Sequence, residues 1–150
     1  MGDIANRVVC ITGASSGIGK ACAIEFAKLK CNLLLTARRK NRIDVLAQEL
    51  MREHHIRVFT ATLDVRNNNE VEKAFTSLPV EWKKIDILVN SAHTPFTPLQ
   101  FERTTWEDYQ HQINGTLKSA FNCCNAVLPL MKSRLVPLVA NSPGLSAVNS

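Results

Sequence analysis

The sequence predicts an α/β fold in which a parallel sheet carries helices on both faces, doubly wound in three layers. Three observations carry that prediction. The chain has 150 residues, the size of one compact domain. Short apolar or β-branched runs alternate with helical stretches long enough to serve as right-handed crossovers between parallel strands. The first run leads directly into a turn with three glycines, Gly13, Gly17 and Gly19, ahead of a helix.

Val8 to Ile11 is the first strand, and beyond the glycine turn Ile18, Ala21, Cys22, Glu25, Phe26 and Leu29 follow helical spacing. A second run, Leu33 to Thr36, precedes basic Arg38-Arg39-Lys40 and a helix from about Arg42 to Arg52, with Ile43, Leu46, Ala47 and Leu50 on one face. Val58 to Ala61 is the third strand and ends at Leu63-Asp64-Val65. Asn69 is the expected N-cap of a helix that carries Val71, Ala74, Phe75 and Leu78 and that Pro79 stops. Ile85 to Val89 is the fourth strand, and Ile87-Leu88-Val89 has the unbroken apolar character of a strand buried on both faces. Thr94 to Pro98 reads as loop. Thr105 opens a long helical stretch in which Leu117, Ala120, Phe121, Cys124, Val127, Leu128 and Met131 mark one apolar stripe. Pro129 falls inside it and predicts a kink or a frayed last turn. Leu135 to Ala140 is a fifth strand, pushed towards an edge by Pro137.

Composition narrows the function classes. A hydrophobic fraction of 45% against 21% charged residues excludes a disordered tail or a fibrous repeat. A domain of this length buries roughly 68–70% of its unfolded surface, so it needs no disulfide or metal staple. Cys10, Cys22, Cys31, Cys123 and Cys124 are odd in number and lack ligand spacing; they read as reduced thiols of a cytoplasmic protein without a metal site. Neither a signal-peptide core nor 18 consecutive apolar residues occurs, so no membrane partner is expected. Eighteen basic against thirteen acidic residues give a net +5, which favours an anionic ligand. The basic residues are scattered, and a nucleic-acid partner would leave the glycine spacing unexplained.

Parallel sheets bind ligands at the carboxyl ends of their strands, and the first strand ends in Thr12-Gly13-Ala14-Ser15-Ser16-Gly17-Ile18-Gly19. The glycines let the backbone turn sharply and approach a diphosphate, while the following helix points free N–H groups at the anion. The competing reading is a purely structural turn. This Thr-Gly-x-x-x-Gly-x-Gly pattern resembles the short-chain dehydrogenase/reductase family. The resemblance continues, in the family's order, through Leu63-Asp64-Val65, Asp86-Ile87-Leu88-Val89-Asn90, Trp106-Glu107-Asp108, Asn114 and Ala126-Val127-Leu128-Pro129. It covers nearly the whole chain, with the last dozen residues the poorest match. Leu78-Pro79-Val80-Glu81-Trp82 ahead of Ile85-Asp86-Ile87-Leu88 is most similar to the NADP-dependent serine/3-hydroxy acid dehydrogenase branch. The resemblance implies a Rossmann fold, with residues 1–150 an NAD(P)-binding domain truncated after about the fifth strand.

An NAD-selective site places a carboxylate at the end of the second strand to accept from the ribose 2′-hydroxyl. This chain offers Thr36-Ala37-Arg38-Arg39 instead, and a guanidinium fork matches a 2′-phosphate, so NADP is the expected cofactor. The competing reading has Arg38 and Arg39 as solvated charges ahead of a helix. The resemblance further implies that Thr12, Gly13, Ser15, Ser16, Gly17, Ile18 and Gly19 form the diphosphate turn, that Asp64 and Val65 hold the adenine, and that Asn90 with Ala92 lines the adenosine ribose. Where the family reads Asn-Asn-Ala-Gly, this chain has Asn90-Ser91-Ala92-His93. A histidine in place of that glycine implies a strained turn or an obstructed cleft.

The family's reaction moves a hydride between a nicotinamide and a carbinol or carbonyl carbon. A tyrosine moves the proton, a lysine four residues on lowers its pKa, a serine orients the substrate oxygen and an asparagine supports a water relay. Asn114 and Ser142 match the asparagine and the serine, with Pro143 beside Ser142 a departure. No Tyr-x-x-x-Lys occurs: Tyr109 is followed by Ile113 and reads as a packing residue beside Trp106. Counted on from Ser142, the family's tyrosine falls just past Ser150. The expectation is little turnover, an uncovered sheet edge, and a homo-oligomer formed through the apolar stripe of residues 117–131. Two functions stay open: an NADP-dependent oxidoreductase of a small alcohol, hydroxy acid or its carbonyl, and a catalytically inactive nucleotide- or partner-binding module.

Overall fold

The computed structural model describes residues 4–93, 103–132, 134 and 137–142. Five parallel strands form one sheet: β1 (Val8–Thr12), β2 (Asn32–Ala37), β3 (Val58–Thr62), β4 (Ile87–Asn90) and β5 (Leu138–Asn141). Between them run α1 (Gly17–Lys28), α2 (Lys40–His54), α3 (Asn68–Thr76), a 3₁₀ turn at Val80–Trp82, then α4 (Trp106–Ile113) and α5 (Ser119–Met131). The loop expected over 94–98 lies outside the described residues, as do residues 135 and 136 ahead of β5.

The strand order is β3-β2-β1-β4-β5. The chain winds outward from β1 to β3, then returns to the other side of β1, so the order reverses between β1 and β4. Central strands buried on both faces must be apolar on both, and they are. Val9, Ile11, Leu33, Leu35 and Val89 pack against Ala23 and Ala27 of α1 and Ile43, Leu46 and Leu50 of α2. Val8, Cys10, Leu34 and Leu88 face Val71 and Phe75 of α3 and Cys123, Val127 and Met131 of α5. The register sets Ile11 beside both Leu35 and Val89.

The Leu78–Trp82 stretch explains itself here: Leu78 and Trp82 are buried in the second core, and Trp82 lies 5.7 Å from the Phe59 ring with the Arg57 guanidinium 5.6 Å from its centroid. At the opposite end of the sheet from the glycine turn, the buried Asp86 carboxylate accepts from Arg7 (3.1 Å), Arg134 (2.8 Å) and the Val8 N–H (2.9 Å). That clamp ties β1, β4 and the segment after α5 together.

Three expectations change. The N-cap of α3 is Asn67, not Asn69: the Asn67 side chain accepts from the N–H groups of Asn69 and Glu70. Three consecutive asparagines are all capable of capping, and both Asn67 and Asn69 have a glutamate three residues on, so spacing does not choose between them; the chain turns into the helix at Asn67, whose side chain is the one that meets the free N–H groups. The long helix is divided by a π-helical turn at Asn114–Lys118. Its apolar stripe is divided as well. Val127 and Met131 are buried, but Leu117 and Phe121 are 66% and 64% exposed, while Ser119, Asn122 and Cys123 face the core. Polar residues occupy that face because they bond there: Asn122 donates to the Val65 carbonyl at 3.0 Å and the Ser119 hydroxyl to the Asn114 carbonyl at 3.2 Å. Pro129 sits in the last turn of α5, which ends two residues later.

Candidate functional site

A cleft of about 740 Å³, counted to its open mouth, lies at the carboxyl ends of the strands where their order reverses. Gly13, Ser15 and Ser16 line it from β1, Arg38 and Arg39 from β2, Asp64, Val65 and Arg66 from β3, and Ser91, Ala92 and His93 from β4. Gly115 and Ser119 close its far wall.

The three glycines have three different reasons to be glycine. Gly13 has φ +68°, and a Cβ there would lie 2.7 Å from the Ala92 backbone, so β4's turn packs onto it. A Cβ on Gly19 would run into the Gly13 carbonyl, so the helix packs onto the turn. Gly17 has φ +55° and open space, with no atom within 4 Å of where its Cβ would stand. Beside it Ser16, extended at φ −168°, occupies the N-cap of α1 without capping it, and the first turn holds no acidic residue. The Ala14 N–H donates to the Thr36 carbonyl at 3.1 Å, but among the described residues no hydrogen bond takes up the N–H groups from Ser16 to Gly19. The start of α1, next to Ser15 and Ser16 of the cleft lining, thus offers uncommitted donors together with the positive end of the helix dipole.

Thr12 is buried and acts as a pin: its hydroxyl accepts from the Ser91 N–H (3.1 Å) and the Ala92 N–H (3.2 Å), which fixes the end of β4 against β1. Arg38 and Arg39 part company. Arg39 donates to the Ser15 and Ser16 hydroxyls, both at 3.2 Å, and so clasps the glycine turn from β2. Arg38 is exposed in the cleft and, among the described residues, has neither a hydrogen bond nor an ion pair. Asp64 is bound by Arg66, whose guanidinium holds its carboxyl below the ordinary carboxylate range, with the Arg38 charge adding to the effect.

The remaining expected residues stand apart from the cleft lining. Gly17, Ile18 and Gly19 lie in α1's first turn, with the Ile18 side chain 44% exposed. Asn90 is buried; its amide donates to Asn141 (2.9 Å) and the Cys124 sulfur (3.4 Å), and among the described residues its Oδ1 has no hydrogen-bond partner. Ser142 continues the ladder past β5, its N–H donating to the Asn90 carbonyl at 2.9 Å. Asn114 opens the π turn with its side chain exposed, outside the cleft lining; Gly115 and Ser119 occupy the wall in its place. His93 does not strain its turn: it is not among the residues with positive φ, and its Nδ1 lies 3.2 Å from the Ser91 carbonyl. Arg66 and Ser119 were not anticipated. The signal for Arg66 was its place two residues after Asp64, at a strand's carboxyl end.

A short chain dehydrogenase family model matches residues 7–141. Sulfoacetaldehyde reductase 2 of Chromohalobacter salexigens is 36% identical over 142 residues, which is 95% of this chain and 53% of that protein. The NADP-dependent 3-hydroxy acid dehydrogenase YdfG of Escherichia coli K12 is 35% identical over 127 residues, 85% of this chain and 50% of that protein. The chain therefore spans about half the length of these curated relatives. Among solved structures, serine dehydrogenase from Escherichia coli superposes with a TM-score of 0.77 at 34% identity, covering 89% of this chain and 60% of that one. L-Sorbose reductase from Gluconobacter frateurii, complexed with NADPH and L-sorbose, gives 0.84 at 28% identity, with 93% and 54% covered. A match that runs from the residue before β1 to the last residue of β5 makes this chain a member of the short-chain dehydrogenase family.

Proposed function

We propose that the chain is the NADP-binding domain of a short-chain oxidoreductase that moves a hydride to or from a small alcohol, a hydroxy acid or its carbonyl. The observation that carries this reading is Arg38, an exposed guanidinium without a hydrogen bond or ion pair among the described residues, where an NAD-selective site would hold a carboxylate. The rest of the cleft fits the same ligand. The space at Gly17 and the uncapped start of α1 suit a diphosphate, and Asp64 and Val65 suit an adenine at the end of β3. NADP(H), when bound, supplies or accepts the hydride. Arg39 shapes the diphosphate turn, while Thr12 and Asn90 hold the end of β4. Ser142 is the candidate for orienting a substrate oxygen, and Asn114, exposed at the start of the π turn, the candidate for supporting a water relay. The names of the relatives, NADP-dependent in the 3-hydroxy acid dehydrogenases, support the choice of cofactor.

By the same reading two copies meet through the exposed face of α4 and α5, where Trp106, Tyr109, Ile113, Leu117, Phe121 and Leu128 stand in solvent. All five cysteines are free, in keeping with a cytoplasmic home. Among the described residues no helix is long and apolar enough to cross a membrane.

Melting temperature followed against NADPH and NADH tests the cofactor. NADPH is expected to stabilise the chain at concentrations roughly 10- to 100-fold lower than NADH, the worth of a hydrogen bond to a charged group. Arg38→Asp should abolish or reverse that preference. Stabilisation by neither nucleotide would remove the reading.

A further inference from the structure

His93 stands on the cleft wall where the family's turn holds glycine, and its ring is fixed. A carbonyl oxygen can only accept, so the His93 Nδ1 that lies 3.2 Å from the Ser91 carbonyl carries the proton. Nε2 is then the nitrogen left for a ligand, and among the described residues it has no hydrogen-bond partner. The anchor is itself rigid. Thr12 holds the N–H groups of Ser91 and Ala92, and the Ser91 carbonyl oxygen lies 2.8 Å from the point where a Cβ on Gly13 would stand. One oxygen thus meets both the imidazole and the first glycine of the diphosphate turn.

The charged groups around the ring leave it no anion of the protein's own. Arg38 and Arg39 line the cleft from the end of β2 and Asp64 and Arg66 from the end of β3, while Gly115 and Ser119 of the far wall carry no charge. Asp64, the one carboxylate of that lining among the described residues, is taken by Arg66. We propose that His93 is a proton-dependent contact to the cofactor's diphosphate: Nε2, once protonated, donates to a phosphate oxygen, so that binding the dinucleotide takes up a proton. The inference rests on the nucleotide reading above and adds to it a pH dependence that a glycine at this position could not supply. An imidazole gains its proton between about pH 5 and 8. Below that range the ring is charged before the ligand arrives and affinity is full; above it the neutral ring has no Nε2 proton to donate, so affinity falls as pH rises.

Calorimetric titration with NADP+, which survives mild acid, tests this between about pH 6 and pH 8. The 2′-phosphate gains charge over the same range and pulls the other way, so the measure is the wild type against His93→Gln, whose amide can still donate to the Ser91 carbonyl but which holds no titrating proton. From pH 8 down to pH 6 the affinity of the wild type should rise, relative to that of His93→Gln, by about tenfold or more, the worth of a charge-assisted hydrogen bond. At pH 7 the wild type should also take up more protons on binding than His93→Gln, read from the dependence of the heat on the ionisation enthalpy of the buffer. His93→Gly, with the family's residue, should match His93→Gln in both. A wild type whose pH dependence and proton uptake equal those of the variants overturns the inference and leaves the cofactor reading standing. So does an affinity gap of the same size at both ends of the range, which would make His93 a neutral partner of a ribose hydroxyl. If His93→Gln does not melt cooperatively, His93→Gly decides by the same two measures. Failure of the wild type to bind NADP+ anywhere in the range removes the cofactor reading and the inference with it.

Discussion

Gly13 and Gly17 share a positive φ but face different surroundings, and the difference is measurable. Alanine at Gly13 would meet the Ala92 backbone at 2.7 Å, whereas alanine at Gly17 meets nothing. Gly13→Ala should therefore cost about 2–4 kcal/mol, overpacking added to the left-handed backbone, and Gly17→Ala only about 1–2 kcal/mol from the backbone alone. Urea melts of the two variants check the order. NADPH affinity should respond the other way, with Gly17→Ala losing tenfold or more while it stays folded, because its methyl would occupy the space the diphosphate needs. At this scale the glycine turn was legible in the sequence from spacing alone. The division of labour between Arg38 and Arg39 was not, because it depends on where the Ser15 and Ser16 hydroxyls come to rest once α1 has docked beside β2.

Among the elements, β1 and α5 seal the second core with two thiols. Burial pushes Cys10 well above the usual thiol range and pushes Cys123 up to about 12, with neighbouring Cys124 adding to the latter. In the unfolded chain these thiols lose their protons near 9.0. Between that pH and about 12 the unfolded state binds fewer protons than the native one, so stability is full below pH 9 and falls as pH rises. Urea midpoints at pH 7, 9 and 10.5 should decline over the last interval, and Cys123→Ala should be less stable at pH 7 yet show a flatter decline. Iodoacetamide at pH 8 should accordingly label half-buried Cys22 and Cys124 ahead of Cys10 and Cys123. The same helix shows where sequence reading fails. Hydrophobicity alone sets Leu117 and Phe121 inward, but the core side of α5 is chosen by Asn122 and Ser119, whose polar atoms find partners there.

For the whole molecule, the outcome of that choice is a set of exposed apolar side chains along α4 and α5, with Phe121 64% exposed among them. Sedimentation equilibrium at micromolar concentration should find self-association in the wild-type chain. Phe121→Glu should shift it to monomer with its melt changed by less than about 0.5 kcal/mol, as expected of a side chain 64% exposed. A variant that stays associated would exclude this face as the contact.

The layered sheet was written into the sequence. Runs such as Ile87-Leu88-Val89, apolar at every position, have no stable place except a central parallel strand, and local spacing sufficed to find the turn that follows Thr12. What only the tertiary structure decided is which side chains meet: that Arg66 folds back on Asp64, that Asn114 turns outward while Gly115 and Ser119 take the cleft wall, and that Thr12 pins the Ser91 and Ala92 amides. The reason is physical. Hydrophobic periodicity is a property of neighbours along the chain, whereas a hydrogen bond between residues as far apart as Thr12 and Ala92 exists only after the strands have been brought side by side.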